Sequence, residues 1–322
     1  MRSTSYRVVR LLVSAVLSLA APVAVAQDFP ARAIRFIVPN TPGSGPDILV
    51  RLVAPEMSKI AGQAIVVENK PGADNIIGLE YVAKQMPADG YTVAVVVASQ
   101  LAILPLIKKE LRFDPLRDLP PAIGLVEGKY IFGSSAGQPW KTFNEMVSYA
   151  RANPGKLNYG SASPVGLLSM EALLQDLELK VIHIPYSAAG PYVLALLSGD
   201  IHMGFVGEST VASYGEKFRV LGVTGNQRSQ LYRDSPTFAE LGRPFIPGLS
   251  YTLNVRAETP KPVIDLLYSA ASRALRQPEL RTQLAKLQME ITSENPETAA
   301  KNLAAAGRLY AEIAKKIGIQ PQ

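Results

Sequence analysis

Short apolar runs alternate with amphipathic ones from Ile34 onward. Residues 34–39 read IRFIVP, an apolar run that predicts a strand, and residues 40–46, NTPGSGP, predict a Gly- and Pro-rich loop. From Asp47 to Ala61 the spacing becomes helical, with Ile48, Leu52, Val53 and Met57 on one face and Pro55 placed to kink it. A second strand is expected over 64–68, a turn around Pro71 and Gly72, a helix over 76–86 and a fully apolar strand over 91–98. Strands alternating with helices predict βαβ units on a parallel sheet.

The alternation restarts at residue 130. Strands are expected over 130–134, 157–161, 181–184, 201–206 and 219–223, and helices over 143–152, 168–177 and 191–197. Leu249 to Val255 reads as one more strand, and helices over 262–276 and 296–317 close the chain. The two runs share a pattern but no repeated sequence. Two α/β runs predict two lobes with a cleft between them, and in open α/β sheets ligands sit beyond the carboxyl ends of the strands.

The N-terminus says where this fold works. Arg2, Arg7 and Arg10 precede a short apolar run, Leu11 to Ala21, and Ala24-Val25-Ala26 offers a small-residue cleavage site before Gln27. This is the layout of a secretory signal peptide, and its apolar run is too short to span a bilayer. Residues 1–26 are therefore expected to be removed after Ala26, leaving a periplasmic protein. The chain has no cysteine, so neither a lipid tether nor a disulfide is expected. Losing three arginines and no acid lowers the formal net charge from +6 to +3. Lys and Arg are scattered, which argues against a nucleic-acid partner, and the mild positive balance suits an anionic ligand.

The strongest local candidate for chemistry is the loop at 40–46. It leads into a helix whose first turn offers unpaired backbone N–H groups and a positive dipole end, a natural anion site. Gly43 and Gly45 let a ligand approach the backbone, although the loop is neither a P-loop nor G-x-G-x-x-G. His183 and His202, the only histidines, sit in apolar strand contexts and are expected to be structural; neither metal nor cofactor is expected. No Gly-x-Ser-x-Gly elbow or acid–base constellation points to an enzyme, while spacing leaves a triad from distant segments open. Trp140, after Gln138-Pro139, reads as a local packing residue.

Longer segments then carry a resemblance. Phe29-Pro30, IRFIVP, TPGSGPDILVRLVAPEMS, VVENKPGADNIIGLEYVAK, ADGYT, LRFDPLRDL, PGKLNYGSAS, HIPYSAAGP, LLSGDI, LGVTGNQRSQLYRDSPTFAELG and TPKPVIDLL occur in that order. Together they resemble the extracytoplasmic receptors of tripartite tricarboxylate transporters, the Bug-type receptors. The resemblance implies a type II periplasmic binding protein fold, two α/β lobes joined by two crossover strands with a ligand cleft between them. The crossovers would lie near 119–133 and 248–255, lobe one would combine 27–127 with 249–322, and lobe two would be 128–248. Members of the family close on carboxylates, one of which is held between the first βα loop and a loop of lobe two, partly through ordered waters.

Carried over position by position, the ligand-binding residues implied are Gly43, Ser44, Gly45 and Asp47 in the first loop, then Ser99 and Gln100 after the third strand. Ser161, Ser163 and Gly166 follow in the lobe-two loop, then Tyr186 and Gly207. Asp47 suits an N-cap or first-turn role better than direct contact, because like charges repel. Tyr186 either lines the cleft or packs between strands. The chain also departs from the family pattern. YGSASPVGLLSME, from Tyr159 to Glu171, is two residues shorter than the usual Y-A-S-A-G-x-G-S-T-S-H-L-x-G-E and lacks its histidine. Leu101, Leu104, Leu167, Leu168 and Val206 stand at or beside commonly polar positions, which predicts a monocarboxylate with an apolar body over a di- or tricarboxylate. The function implied is a receptor that hands a small organic acid to membrane transporter subunits, expected as a monomer. The alternative is a sensing module that presents its closed form to a histidine-kinase ectodomain; both need the same closure.

Overall fold

The computed structural model describes residues 29–187, 189–225, 227–243, 248–319 and 321. The expected signal peptide and its cleavage site lie outside them. The first run comprises β1 (Ile34–Val38), α1 (Gly45–Ala61), β2 (Ile65–Asn69), α2 (Ile76–Glu80), β3 (Thr92–Val97), α3 (Ala98–Ile107), α4 (Pro115–Asp118) and β4 (Pro121–Gly128). The second comprises β5 (Tyr130–Ser135), α5 (Phe143–Ala152), β6 (Asn158–Ser161), α6 (Pro164–Asp176), β7 (Ile182–Pro185), α7 (Ala189–Ser198), β8 (Gly204–Gly207), α8 (Glu208–Ala212) and β9 (Phe218–Val223). The chain then returns through β10 (Leu249–Val255), α9 (Lys261–Leu275), α10 (Pro278–Lys286), β11 (Met289–Glu294) and α11 (Pro296–Ile317). No helix among the described residues is long and apolar enough to cross a membrane.

The first lobe is a six-stranded sheet in the order β11-β4-β10-β3-β1-β2. It is mixed, not parallel as the alternation predicts. Only β2, β1 and β3 pair in parallel; β10 lies antiparallel to both β3 and β4, and β11 antiparallel to β4. The reason is the crossover: β4 leaves the sheet for the second lobe with only Lys129 before β5, and β10 comes back in the opposite direction. The second lobe holds the antiparallel set β8-β5-β9 and the parallel pair β6-β7, tied to β8 by a bridge from Tyr159 to Met203.

Both faces of the first sheet are covered, which suits its near-continuous apolar strands. One face packs on α1 and α9 through Val50, Val53, Leu267 and Ala271. The other packs on α3 and α11 through Leu101, Leu104, Leu303 and Tyr310, and Val165 and Leu168 of α6 join that same cluster. So the first turns of α6 leave their own lobe and dock on the other, a third link beside the two crossovers.

This overturns one expectation. Leu101, Leu104 and Leu168 are fully buried in that cluster, and Val206 in a core of the second lobe, rather than lining a cleft for an apolar tail. Leu167 packs against another second-lobe core. Trp140 is packing, as read: its indole N–H donates to Ser134 Oγ at 3.1 Å and its ring lies 5.2 Å from that of Tyr149.

Candidate ligand cleft

The first loop is held from behind by Asp47. This nearly buried carboxylate accepts from Gly43 N–H (2.9 Å), Arg51 Nε (2.9 Å) and Asn69 Nδ2 (3.0 Å). Burial raises its carboxyl, but those three donors outweigh burial and hold it below the ordinary value. Asp47 therefore holds the loop in place through its own protein partners. Gly43 has its N–H engaged by Asp47 as well, so its contribution is its left-handed turn, φ +80°.

Ser44 is the N-cap of α1, in extended geometry, yet its side chain makes no capping bond. Its hydroxyl is buried without a partner, and so is the amide oxygen of Asn40 at the end of β1. Among the described residues the N–H groups of Gly45 and Asp47 make no hydrogen bond either. An unpartnered hydroxyl and two free N–H groups at a helix start are a ready anion site.

Beside this loop the backbone is strained. Ala73 (φ +47°), Asp74 (+53°) and Asn75 (+73°) follow Gly72 (+127°) in the left-handed region. Gln100 donates its side-chain N–H to the Asp74 carbonyl at 3.1 Å and Lys108 pairs with the Asp74 carboxylate at 2.8 Å. The Gln100 amide thus clamps the strained turn.

In the second lobe, Ser163 caps α6, accepting from Gly166 N–H at 3.1 Å. That bond occupies the Gly166 N–H, one of the donors expected to serve a carboxylate there, and the Ser163 hydroxyl also lies against the Tyr130 phenol. Ser161 Oγ sits 2.7 Å from His183 Nε2, and the His183 ring stacks on Tyr159 at 4.8 Å. Burial lowers the His183 ring below its ordinary value, with Glu171 opposing. Tyr186 donates its N–H to the Ser161 carbonyl (2.9 Å), and its ring lies 5.9 Å from that of Tyr192.

Two tyrosines on the crossovers connect these loops, and the sequence reading missed both. A Cβ on Gly45 would come within 2.6 Å of the Tyr251 hydroxyl, and one on Gly166 within 3.1 Å of the Tyr130 hydroxyl. Burial pushes the Tyr251 phenol up to about 12, and the nearby Tyr130 adds to this. Their place in the predicted crossovers was the available signal. Gly45 and Gly207 come together around a cavity of about 180 Å³ that also takes in Lys129 and Tyr251. Ser99 departs from the group: it lines another cavity, on the α11 face of the sheet.

Two α/β lobes, joined by crossover strands and presenting an open helix N-terminus at the end of β1, define a two-lobed solute-binding protein. Residues 49–319 match the family described as Tripartite tricarboxylate transporter family receptor, and the chain belongs to that family. It is 35% identical over 312 residues to a protein of Cupriavidus necator, "UPF0065 protein in gbd 5'region", covering 95% of this chain and 94% of that one. An R. palustris structure with adipate is 27% identical, with TM-score 0.81 over 92% of this chain and 100% of that one. MatC from Rhodopseudomonas palustris with bound malate is also 27% identical, with TM-score 0.78 over 89% and 100%.

Proposed function

We propose that this chain is a periplasmic receptor that closes its lobes on a small carboxylate and passes it to membrane transporter subunits. The observation that carries the reading is the open start of α1: the Ser44 hydroxyl without a partner beside the free N–H groups of Gly45 and Asp47. One carboxylate of the ligand takes these donors. The lobes divide as 27–127 with 249–322 against 128–248, and closure turns about Lys129 and β10. Because the leucines thought to shape an apolar pocket are core residues, the argument for a monoacid lapses. Relatives solved with adipate and malate make a diacid the better candidate.

In this reading the Ser161–His183 pair holds the lobe-two loop in place. Its histidine lacks a carboxylate hydrogen bond among the described residues, and the nearby Glu171 is engaged by the Tyr159 hydroxyl. Native mass spectrometry of the purified chain tests the reading. It is expected to reveal a co-purified organic acid, intact after incubation, and small-angle scattering is expected to show compaction when adipate or malate is added. An acid-free protein whose radius ignores every acid offered would overturn it.

A further inference from the structure

On the face of the first sheet opposite α1, a cavity of about 340 Å³ lies between α11 and the two crossover strands. That volume falls in the usual range of small-molecule sites, roughly 300–1,000 Å³. Three carboxylates line it: Glu127 on β4, and Glu290 and Glu294 on β11. Glu127 and Glu290 stand directly opposite each other in the antiparallel ladder. Like charges so placed repel. Lys129 reaches Glu290 only at 3.7 Å, and Glu294 is hydrogen-bonded by Asn302 at 2.6 Å. Among the described residues Glu127 has no ion pair at all. Although its side chain reaches solvent, partial burial and the neighbouring Glu294 and Glu290 push its carboxyl above the ordinary value, with Lys129 opposing.

The far wall is apolar, formed by Leu303, Ala306 and Leu309 of α11. Ser99, 4% exposed, also lines the cavity, and its hydroxyl has no hydrogen-bond partner. Tyr310, which interacts with it, is equally without a formed bond. Lys129 lines the same cavity, so the sheet sets three carboxylates against one lysine over an apolar wall, with the Ser99 hydroxyl beside them. The carboxylates do not converge as metal ligands do, since no group of acids or histidines among the described residues could hold a metal ion.

We propose that this cavity is a second binding site, for a small organic cation with ammonium groups on a short aliphatic body. The ammonium groups sit among Glu127, Glu290 and Glu294 and the methylenes lie against Leu303 and Leu309. The proposal is independent of the acid site at Ser44. Both crossovers line the cavity, as do Thr224 and Gly225 after β9, so an occupant touches the parts that move on closure.

Titration calorimetry of the mature chain with diaminobutane at physiological salt tests this, with adipate as the second titrant. Saturable binding at one site is expected. Glu127→Gln and Glu290→Gln, each leaving the thermal midpoint of the free protein near that of the parent, are expected to weaken it about tenfold, the loss of a charge-assisted contact. Ser44→Ala should leave diaminobutane binding unchanged. The proposal is overturned if diaminobutane does not saturate or binds both glutamine variants as it binds the parent, the mark of diffuse surface attraction. Displacement of diaminobutane by adipate would also overturn it, by placing both in one site. Should adipate not bind at all, the acid reading fails and the diaminobutane result still stands by itself.

Discussion

The first loop and the lobe-two loop are built alike and finished differently. Each follows a strand, each begins a helix at a serine N-cap, and each has proline in the first turn: Ser44 with Pro46, and Ser163 with Pro164. Ser163 closes its helix by capping Gly166, whereas Ser44 leaves its hydroxyl and the first-turn N–H groups free. The first loop can leave them free because Asp47 and Arg51 hold it from outside the cap. The same local sequence signal therefore marks a closed helix cap in one lobe and an open one, the proposed anion site, in the other. What separates them is whether something else stabilises the turn.

Breaking that outside support should have the largest effect. Asp47→Ala removes three hydrogen bonds to a nearly buried carboxylate and is expected to cost about 2–4 kcal/mol in urea unfolding, and to abolish acid binding. Wild-type affinity in that variant would mean that the loop holds itself. Gly45→Ala should cost about 1–3 kcal/mol because the new methyl meets the Tyr251 hydroxyl. Most of that cost should vanish in a Tyr251→Phe background, and an equal cost in both backgrounds would show that the strain lies elsewhere. Ser163→Ala should cost about 1 kcal/mol, the usual value of a serine cap, while adipate affinity stays within about twofold. A large affinity loss there would make the second cap part of the site.

The smallest effect concerns pH. Burial lowers both His183 and His202. The unfolded chain takes up protons below about 6.5 while these folded imidazoles resist, so stability is full above that pH and declines beneath it. Replacing both histidines with asparagine should flatten the decline of the thermal midpoint between about pH 6.5 and 5; an unchanged slope would assign it to other groups.

Much of the scaffold could be read from pattern alone. The helices at 143–152 and 296–317 and the strand at 249–255 stand where hydrophobic spacing puts them. α3 escaped because SQLAILPLI is apolar on every side, as a helix buried between α11 and the sheet must be, and so shows no helical stripe. β11 escaped because MEITSE is a polar edge strand whose partner, β4, lies far away in sequence. The proposed acid site was half legible. Ser44, Gly45 and Asp47 were found in the loop, but the loop's surroundings include Asn69 and Tyr251, which only folding brings near. The leucines failed for the same reason: their burial is decided by α11, about 200 residues downstream of Leu101.

The central claim, that the uncapped start of α1 grips a carboxylate, is tested most directly by titrating adipate and malate into the parent chain and Ser44→Ala. We expect saturable binding of at least one acid by the parent and about tenfold weaker binding by the variant, at an unfolding midpoint within about 2 °C of the parent, because Ser44 caps nothing. Equal affinity in the two proteins, or a clear loss of stability without loss of binding, would contradict the account.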